Sequence, residues 1–372
     1  MASVIEINDL HSLGAYRMQW NALMADTPRA SFFHTFDWLS IYWRHFGGDQ
    51  KLRVLIVEAA GKVIGIVPLC VRREKRSFGH VRVLTYPLEG WGMWYSPIGS
   101  AQAATLAMAM RHISQTPRDW DLIDLPWTDS DLSDRGRTAR AMNTAGLTCH
   151  QQQDESTSVI ELAGDWEGYL ASRTRKTRHE IRRTRKRLEE QGTIEYVRHR
   201  PEPLRAGDGE PNWSLYDECE EVARHSWQAD LIDGNTISHE RYRPFLRKAH
   251  EAAAALGMLD VNLLRVNGRA VAFNYNYHFD GVVFGLRMGY RADFPNKGAG
   301  STLVMMTVED SFARGDRRFE LGVGDQAYKH RIRTHEEFSH RLTHAPITSW
   351  RSQAVRLSRW MKSRQATQKV AS

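Results

Sequence analysis

Cysteine and long apolar runs are two features that this sequence largely lacks. Its 372 residues include three cysteines, Cys70, Cys149 and Cys219, which are widely spaced and odd in number. Such usage argues against a disulfide framework and against a cysteine-based metal site. No stretch approaches the ~18 consecutive apolar residues that a membrane-spanning helix needs. The sequence therefore predicts no transmembrane segment.

Acidic residues are missing from the whole stretch after Glu337, and the chain as a whole is basic. Its formal net charge is +7 and its pI is ≈ 9.3. This balance favours an anionic partner, such as CoA phosphates, a nucleotide-activated sugar, tRNA or an acidic membrane surface, without choosing among them. No DNA partner is predicted. The opening MASVIEINDL lacks the basic flank and apolar run of a secretory signal, which predicts a cytoplasmic location.

Motifs for metals and nucleotides are absent or incomplete. No GxxxxGK[ST] run occurs, so ATP use through a P-loop is unsupported. His335-Glu336 followed by His340 differs from a zinc motif, because histidines five positions apart do not share a helical face. The run Gly322-x-Gly324-x-x-Ala327 leaves too little chain after it for a dinucleotide-binding unit. We predict no metal.

The residues that are present describe a globular protein of mixed α and β structure. Hydrophobic residues make up 41% and charged residues 26%, a composition that folds into compact units. The length allows two domains. Strand-like runs such as VRVLTYPL, WDLIDL and STSVIEL alternate with helical patterns, one of them an aromatic helix capped near Thr35. The predicted fold class is α/β, of the α+β type with a mixed sheet.

A change of pattern at Asp165 predicts a domain junction. The run DWEGYLASRTRKTRHEIRRTRKRLEEQG predicts one long polar helix over residues 165–192, with Gly192 as its C-terminal cap. We therefore predict a first domain over residues 1–164. A second domain, which includes this basic connecting helix, is predicted over 165–350, and a basic C-terminal tail over 351–372.

Two hairpins, one in each half of the chain, are similar to each other. VEAAGKVIGIVPL, from Val57, and LRVNGRAVAFNYN, from Leu264, each contain a strand, a glycine-basic turn and a second apolar strand. Asn267-Gly268 is a strong hairpin signal because both residues tolerate positive φ. Taken by itself, the match fits either an internal duplication or chance.

The stretch most informative about chemistry is GVVFGLRMGYRADFPNKGAGSTLV. A strand over Val282–Tyr290 is predicted to lead through a basic turn into a helix that starts near Ser301. Successive backbone N–H groups at a helix N-terminus favour an anion such as a pyrophosphate. Lys297 adds charge, and Gly298 and Gly300 allow the phosphate to approach the backbone. The alternative is an ordinary tight strand-to-helix turn.

This turn resembles the acetyl-CoA loop of the GNAT superfamily in Lys297, Gly298, Ala299, Gly300 and Ser301. Pro295 departs from the family pattern, because it stands where Arg or Gln is usual. The resemblance implies that acetyl-CoA or another acyl-CoA is the donor substrate. It also implies roles for further residues, with Leu286, Arg287 and Met288 pairing with the pantetheine arm and the N–H groups of residues 298–302, up to Thr302, holding the pyrophosphate.

The order of motifs along the chain is similar to that of the CelD-like acetyltransferases, relatives of the FemAB peptidyltransferases. SRTRKTRHEIRRTRKRLEEQG, HSWQ, KGAGSTLV and FELGVGDQAYKHRI follow one another at that group's approximate spacing. The resemblance implies two tandem GNAT-like acyl-CoA N-acyltransferase domains. The first lacks a KGAGS-like turn, so we expect it to be degenerate and to shape the acceptor groove. The implied activity is N-acylation of an amino sugar or other amine in exopolysaccharide or cell-envelope synthesis.

The block FELGVGDQAYKHRI supplies the candidate catalytic residues. In a GNAT core its strand, residues 318–323, lies next to the cofactor strand, so the resemblance places Asp325, Tyr328 and Lys329 near the acyl group. Acyl transfer to an amine needs a base, a stabilised oxyanion and a proton for the thiolate. We assign Asp325 as base or substrate anchor, Tyr328 as proton donor to sulfur and Lys329 as oxyanion or phosphate contact. Alternatively, Asp325 caps the helix and Tyr328 packs.

Two basic segments each have a plain and a functional interpretation. The helix over residues 173–187 is either solvated or binds phosphates of a nucleotide-sugar, a lipid-linked sugar or tRNA, through Arg175, Arg178 and Arg182. The tail WRSQAVRLSRWMKSR either packs on its domain or lies on an anionic membrane surface, peripheral to the inner face.

Two other functions compete with CoA-dependent acylation. A FemAB-type peptidyltransferase that uses aminoacyl-tRNA is favoured by the basic helix and disfavoured by the CoA-like loop. A non-catalytic scaffold of a polysaccharide synthesis complex would keep the fold without turnover.

Overall fold

The computed structural model describes residues 2–76, 78–226, 228–229, 236–295, 298–347 and 351–355. They form two compact units. Unit 1 comprises the described residues of Met1–Glu155 and Phe338–Ser372, and unit 2 comprises those of Ser156–Glu337. The chain thus passes between units at residues 155/156 and 337/338, whereas the sequence pattern predicted boundaries at 164 and 350.

Unit 1 begins at the N-terminus and is built around antiparallel hairpins. Its elements are β1 (Ala2–Ile7), α1 (Leu10–Gly14), α2 (Arg17–Met24), α3 (Phe36–Phe46), β2 (Lys51–Ala59), β3 (Lys62–Arg76), β4 (Gly79–Thr85), α4 (Gln102–Gln115), β5 (Leu122–Thr128) and α5 (Arg137–Thr144). The next strand, β6 (His150–Glu161), begins in unit 1 and ends in unit 2.

Unit 2 repeats this alternation of helices and strands. Its elements are α6 (Trp166–Ser172), α7 (Arg175–Glu189), β7 (Ile194–His199), α8 (Trp213–Arg224), α9 (Arg243–Ala255), β8 (Leu259–Val266), β9 (Arg269–Phe279), β10 (Val282–Tyr290), α10 (Ala299–Ala313), β11 (Arg318–Val323) and α11 (Ala327–Ile332). The last strand, β12 (His335–His344), carries the chain back into unit 1.

The strands of the two units have the same order and directions. In unit 1 the order is β1-β2-β3-β4-β5-β12, with β4 and β5 parallel and the other neighbours antiparallel. In unit 2 the order is β7-β8-β9-β10-β11-β6, with β10 and β11 parallel and the others antiparallel. The predicted mixed α/β sheet is therefore present twice, and the similar hairpins β2–β3 and β8–β9 occupy equivalent places.

The boundaries between the two units fall in or at β6 and β12, because each of these strands pairs with a strand from the other half of the sequence. β12 follows α11 in the chain but pairs with β5, as in Leu342 with Leu125. β6 follows α5 but pairs with β11, as in Ile160 with Phe319. Pairing between strands far apart in sequence has no local sequence signal, so the pattern change at Asp165 predicted a later junction.

Local chemistry explains several element ends. Thr35 caps α3, since its Oγ1 accepts a hydrogen bond from the Trp38 N–H at 3.0 Å. Asn267 and Gly268 both have positive φ, 51° and 76°, as the predicted two-residue hairpin requires. Both predictions are confirmed.

The predicted single helix over residues 165–192 is wrong, because the structure divides it into α6 and α7. Arg173 has extended backbone, with ψ of 156°. Thr174 then caps α7, since its Oγ1 accepts a hydrogen bond from the Thr177 N–H at 3.2 Å. A cap residue inside the basic run thus starts a new helix, and α7 ends at Glu189, before Gly192.

Each unit has its own hydrophobic core against its sheet. In unit 1, α4 and α5 cover a core that includes Leu69, Leu84 and Met110. In unit 2, α10 packs on β8, β9 and β10 through Leu303, Val304 and Val308. This packing fixes the start of α10 against β10, where the chemistry is expected.

Candidate active site

The parallel strands β10 and β11 separate part of the way along their length. They pair through Val282 with Arg318, Val283 with Phe319 and Phe284 with Glu320, and among the described residues no β10–β11 pair follows. Beyond this point β10 is irregular between Gly285 and Arg287, and β11 is irregular between Glu320 and Val323. The result is a wedge between two strand edges.

Two glycines make this separation possible. A Cβ on Gly285 would lie 2.6 Å from the Glu320 carbonyl oxygen, and a Cβ on Gly322 would lie 2.6 Å from the Gly285 carbonyl oxygen. Gly322 also has φ of +72°, which strains any other residue. The strands therefore touch backbone to backbone at the point where they part.

The predicted cofactor strand lines one side of the wedge. Leu286 is buried, and the partly buried Met288 packs against the core. Arg287 folds back, and its Nη1 donates a hydrogen bond to the Leu286 carbonyl at 2.7 Å.

The N-terminus of α10 lies beside β10. Gly298 is its N-cap, with φ of −96°, so backbone conformation does not require glycine there. A Cβ on Gly300 would lie 3.0 Å from the Met288 sulfur and 3.0 Å from the Tyr290 ring, so Gly300 allows the helix to pack closely on β10. Lys297 lies outside the described residues.

The first turn of α10 carries donors for an anion. The first intrahelical hydrogen bond runs from Thr302 N to Gly298 O at 2.9 Å, so the N–H groups of Ala299, Gly300 and Ser301 have no partner within the helix. Ser301 Oγ donates to Gly298 O at 3.0 Å. Thr302 Oγ1 is buried and has no hydrogen-bond partner among the described residues. This turn fits a phosphate group.

Lys329 lies on α11 and is buried beside the C-terminal end of β11. Among the described residues no carboxylate pairs with it. Its side chain reaches back to β11, where Nζ donates to Gly322 O at 2.8 Å and Val323 O at 2.7 Å. These carbonyls belong to the part of β11 that lies beyond its last pair with β10. Burial lowers the pKa of Lys329 to about 7. Two of the ammonium protons are thus held by the strand, and the third is lost near neutral pH.

Tyr328 and Asp325 lie in different surroundings. Tyr328 is largely buried, and burial raises the pKa of its phenol, which keeps the hydroxyl protonated. The Asp325 side chain is 81% exposed and pairs with His330 Nε2. Gln326, not Asp325, is the N-cap of α11. The sequence analysis did not identify His330, for which the sequence offers one indication, its position five residues after Asp325.

A cleft that is partly open to solvent adjoins these groups. Its wall is formed by α7, the start of α10 and α11, with the lining residues Thr177, Glu180, Ile181, Thr184, Ser301, Met305, Tyr328, Arg331 and Ile332. Arg331 Nη1 forms an ion pair with Glu180, which joins α11 to α7. The sequence predicted Ser301 and Tyr328 as site residues. On α7 it predicted arginines as substrate contacts and missed Thr177, Ile181 and Thr184, which line the cleft.

The three arginines predicted to bind substrate phosphates differ from one another. Arg178 is half-buried, and its Nη1 donates to the carbonyls of Ala171 at 3.1 Å and of Arg173, so it closes the link between α6 and α7. Arg175 and Arg182 are exposed on α7. His335 and His340, the histidines that the sequence analysis set aside as a zinc motif, both lie on β12. Among the described residues no cluster of metal-ligating side chains is found.

Two other predictions fall partly outside the described residues. Trp227, in the HSWQ motif, and the tail from residue 356 onward are among them. In the part of the chain that the structure does describe, no helix has both the length and the apolar character to cross a membrane.

The separated parallel strands, the adjoining helix N-terminus and the tandem strand order define a GNAT-type acyltransferase fold. Residues 175–330 match the family model of the acetyltransferase (GNAT) domain. The resemblance to the GNAT superfamily predicted from the sequence is therefore confirmed, and this match covers the wedge, α10 and most of α11.

Solved structures with the same fold cover nearly the whole chain. FemX has a TM-score of 0.61 at 10% identity, with 92% of this chain and 97% of that chain covered. The L-PGS structure from Bacillus licheniformis has a TM-score of 0.54 at 13% identity, with 92% and 96% covered. A tandem GNAT protein from the clavulanic acid biosynthesis pathway has a TM-score of 0.50 at 11% identity, with 94% and 100% covered. Identities this low show the fold alone. No curated protein matches the sequence.

Proposed function

We propose that this protein is an acyl-CoA-dependent N-acyltransferase that acts on an amino sugar or another amine in exopolysaccharide or cell-envelope synthesis. The observation that supports this proposal most directly is the wedge between β10 and β11 beside the N-terminus of α10. A thioester donor needs both features, because its amide-bearing arm can pair with a strand edge while its pyrophosphate binds helix N–H groups.

The wedge fits such a donor in chemistry as well as in shape. The β10 edge from Leu286 to Met288 offers backbone groups on the side where β11 has parted. The N–H groups of Ala299 to Ser301 and the Thr302 hydroxyl, which have no hydrogen-bond partner in the part of the chain that the structure describes, offer donors to phosphate. We therefore keep these residues as the donor site.

The residues of α11 and of the turn before it would carry the chemistry. The acceptor amine loses a proton, its nitrogen attacks the thioester carbonyl, the C–S bond breaks, and the thiolate takes up a proton. Tyr328, held protonated, suits the last step. Below its pKa of about 7, the Lys329 ammonium has a third N–H that its two carbonyl partners do not use, and this N–H suits an oxyanion. The Asp325–His330 pair is the base candidate, with His330 added to the predicted Asp325.

A second candidate donor is aminoacyl-tRNA. The exposed cations of α7 favour it, since a nucleic-acid donor needs phosphate contacts outside the wedge. The intact first turn of α10 favours acyl-CoA instead. A scaffold without turnover would bind neither donor, so one binding experiment separates the three functions.

The test is calorimetric titration of acetyl-CoA into the parent protein and into Gly298→Val. A β-branched side chain at the helix N-cap should block the phosphate approach and weaken binding at least ~10-fold. Gly48→Val is the matched control, because a Cβ on Gly48 meets nothing within 4 Å. Unchanged binding by Gly298→Val would remove this turn from the donor site. Absence of binding by the parent, with retention of aminoacyl-tRNA on a filter, would establish the second donor.

A further inference from the structure

A fully buried carboxylate lies where β10 and β11 part. Glu320 belongs to the last pair of the two strands, Phe284 with Glu320, and its side chain has 0% exposure. Its Oε1 lies 3.3 Å from the Nε of Arg318, with which it forms an ion pair. A buried ion pair contributes little net stability, because removing both charges from water costs about as much as their attraction returns. Stability alone therefore does not account for a carboxylate at this position.

Glu320 points away from α10. Val283 and Phe319, the pair that precedes Phe284 and Glu320, pack with residues of α10 in one hydrophobic cluster. Successive side chains of a strand point to opposite faces of the sheet. Phe284 and Glu320 therefore point to the face opposite α10.

The carboxylate has apolar neighbours on both adjacent strands. Phe284 of β10 and Val159 of β6 are the partners of Glu320 in the sheet, and both are buried. Further along β11, where the strands have parted, Gly322 has no side chain. The carboxylate therefore lies at the inner end of the wedge, between apolar side chains and a position without a side chain.

Both α10 and α11 lie on the other side of the sheet. Ile332 of α11 packs in the same cluster as Phe319 and the α10 residues. The exposed Asp325–His330 pair belongs to this side, since His330 is part of α11 and Asp325 lies two residues before it. These helices leave the opposite face, where Glu320 lies, for the approach of an amine.

A donor held by α10 and β10 would bring its thioester to Glu320. Its pyrophosphate would lie at the first turn of α10, which follows the C-terminal end of β10. From there its arm would run along β10 from Met288 toward Leu286, in the direction of the last β10–β11 pair. The thioester, at the far end of the arm, would then meet the carboxylate where the strands part.

We infer that Glu320 is the group that accepts the proton of the acceptor amine. The neutral amine attacks the thioester carbonyl, and its nitrogen becomes cationic as the C–N bond forms. Glu320 takes up the proton from this nitrogen, the C–S bond breaks, and the thiolate takes a proton from Tyr328. Solvent then carries the proton from Glu320 to the Tyr328 phenolate, which restores both groups. The inference rests on the proposed acyl-CoA function, and the Asp325–His330 pair is the rival acceptor for the same proton.

The test compares two carboxylates that share one arginine. Glu320→Gln removes the proposed proton acceptor. Glu337→Gln is the matched control, because Glu337 is also nearly buried, at 10% exposure, and also pairs with Arg318. The full chain is titrated with acetyl-CoA by calorimetry, and release of the CoA thiol from acetyl-CoA is then followed with glucosamine and, separately, with hydroxylamine as the amine.

Both variants should bind acetyl-CoA within about threefold of the parent, since neither carboxylate contacts the first turn of α10. Glu320→Gln should lower kcat about 100-fold or more with little change in KM for acetyl-CoA, whereas Glu337→Gln should keep kcat within about threefold. If the melting curve shows that Glu320→Gln does not fold, Glu320→Asp and Glu337→Asp replace the pair. Of these two, Glu320→Asp alone should lose kcat, about 10-fold, because its carboxylate is retracted.

Equal kcat values for Glu320→Gln and Glu337→Gln would overturn the inference and leave Glu320 as a partner of Arg318. A loss of kcat in Asp325→Asn that Glu320→Gln does not share would overturn it in favour of the rival pair. A parent that binds acetyl-CoA but releases no thiol with either amine would also overturn it, while the donor site would stand. Absence of acetyl-CoA binding by the parent would instead remove the proposed function, and this inference with it.

Discussion

The two units differ most where their parallel strands part. In unit 1, β4 and β5 pair through Val83 with Leu122 and Leu84 with Ile123, and no β4–β5 pair follows among the described residues. The chain then takes a long path, residues 86–101, before α4. Tyr95 N donates to the Trp127 carbonyl of β5 at 2.9 Å. The exposed edge of β5 is therefore paired by the unit's own backbone.

This inserted segment of unit 1 is tightly held. Trp91, Met93, Trp94 and Tyr95 are all buried. The Arg29 guanidinium lies 3.7 Å from the centroid of the Trp94 ring. Arg29 and Trp94 both have positive φ, 56° and 54°, in the region that non-glycine residues rarely adopt. Such strain persists only where the surrounding packing fixes it.

In unit 2 the equivalent edge is paired by a single side chain. The carbonyls of Gly322 and Val323 accept from Lys329 Nζ, and residues 291–298 make a shorter path to α10. The same strand order thus gives a filled wedge in unit 1 and an open wedge in unit 2. The difference is whether a backbone segment or a side chain forms the hydrogen bonds to the strand beyond the last pair of the two parallel strands. A side chain can move when a ligand strand arrives; a packed backbone segment cannot.

The largest effect is expected when the filled wedge of unit 1 is emptied. Trp94→Ala removes a buried indole that supports Arg29, and should cost about 3–5 kcal/mol of the free energy of unfolding of unit 1. Hydrogen exchange of the β5 amides under increasing urea measures this unit separately.

Met18→Ala is the control for that experiment, because Met18 is 84% exposed and its truncation should change stability by less than about 0.5 kcal/mol. If Trp94→Ala destabilised β5 no more than Met18→Ala, the segment would be an ordinary surface loop and the two wedges would not differ in kind.

A smaller effect is expected at the glycine where the unit 2 strands part. Gly322→Ala combines positive φ with a Cβ 2.6 Å from the Gly285 carbonyl oxygen, whereas Gly268→Ala has φ of +76° and no atom within 4 Å. Strain at φ alone should cost about 1 kcal/mol, and the added clash should bring Gly322→Ala to about 3 kcal/mol. Urea unfolding followed by exchange of β11 amides checks the difference. Equal costs would show that β10 and β11 move apart easily.

The sequence predicted those features of the wedge that depend on near neighbours in the chain. The strands over residues 282–290 and 318–323 agree with β10 and β11, and the Asn267-Gly268 hairpin and the Thr35 cap are confirmed. Each of these depends on residues within a few positions of one another, so pattern and turn chemistry suffice to identify them.

The features that sequence reasoning missed depend on contacts between distant parts of the chain. Gly285 and Gly322 are required by a backbone approach across two strands, and Lys329 is buried because it turns back onto β11. The unit 1 insertion has no hydrophobic period to identify it. The cap at Thr174 was visible in the sequence, but the strong helical pattern around it led to one helix instead of two.

The sharpest test of the open wedge, and the smallest change at each measured step of one pH unit, is a dependence of stability on pH. The pKa of Lys329 is lowered to about 7 in the folded protein, from an ordinary value of 10.5. Between these values the unfolded chain binds more protons than the folded one. Lys329 should therefore raise the free energy of unfolding with pH across this window, by up to about 1.4 kcal/mol per pH unit, with no further change below pH ~7. The three cysteine thiols, whose pKa values are raised from 9.0 by burial, oppose this rise in its upper part in the parent and in the variants alike. Lys329→Met keeps the length of the side chain and removes the titrating group, so its unfolding should lack this rise, as urea unfolding at successive pH values would show.

Lys248→Met, at an exposed lysine that pairs with Glu251, should keep the parent's slope. A parent and a Lys329→Met variant with the same slope would mean that Lys329 is charged in the folded state. The strand edge would then be held by an ammonium group, which is harder to displace by an incoming donor than a neutral amine.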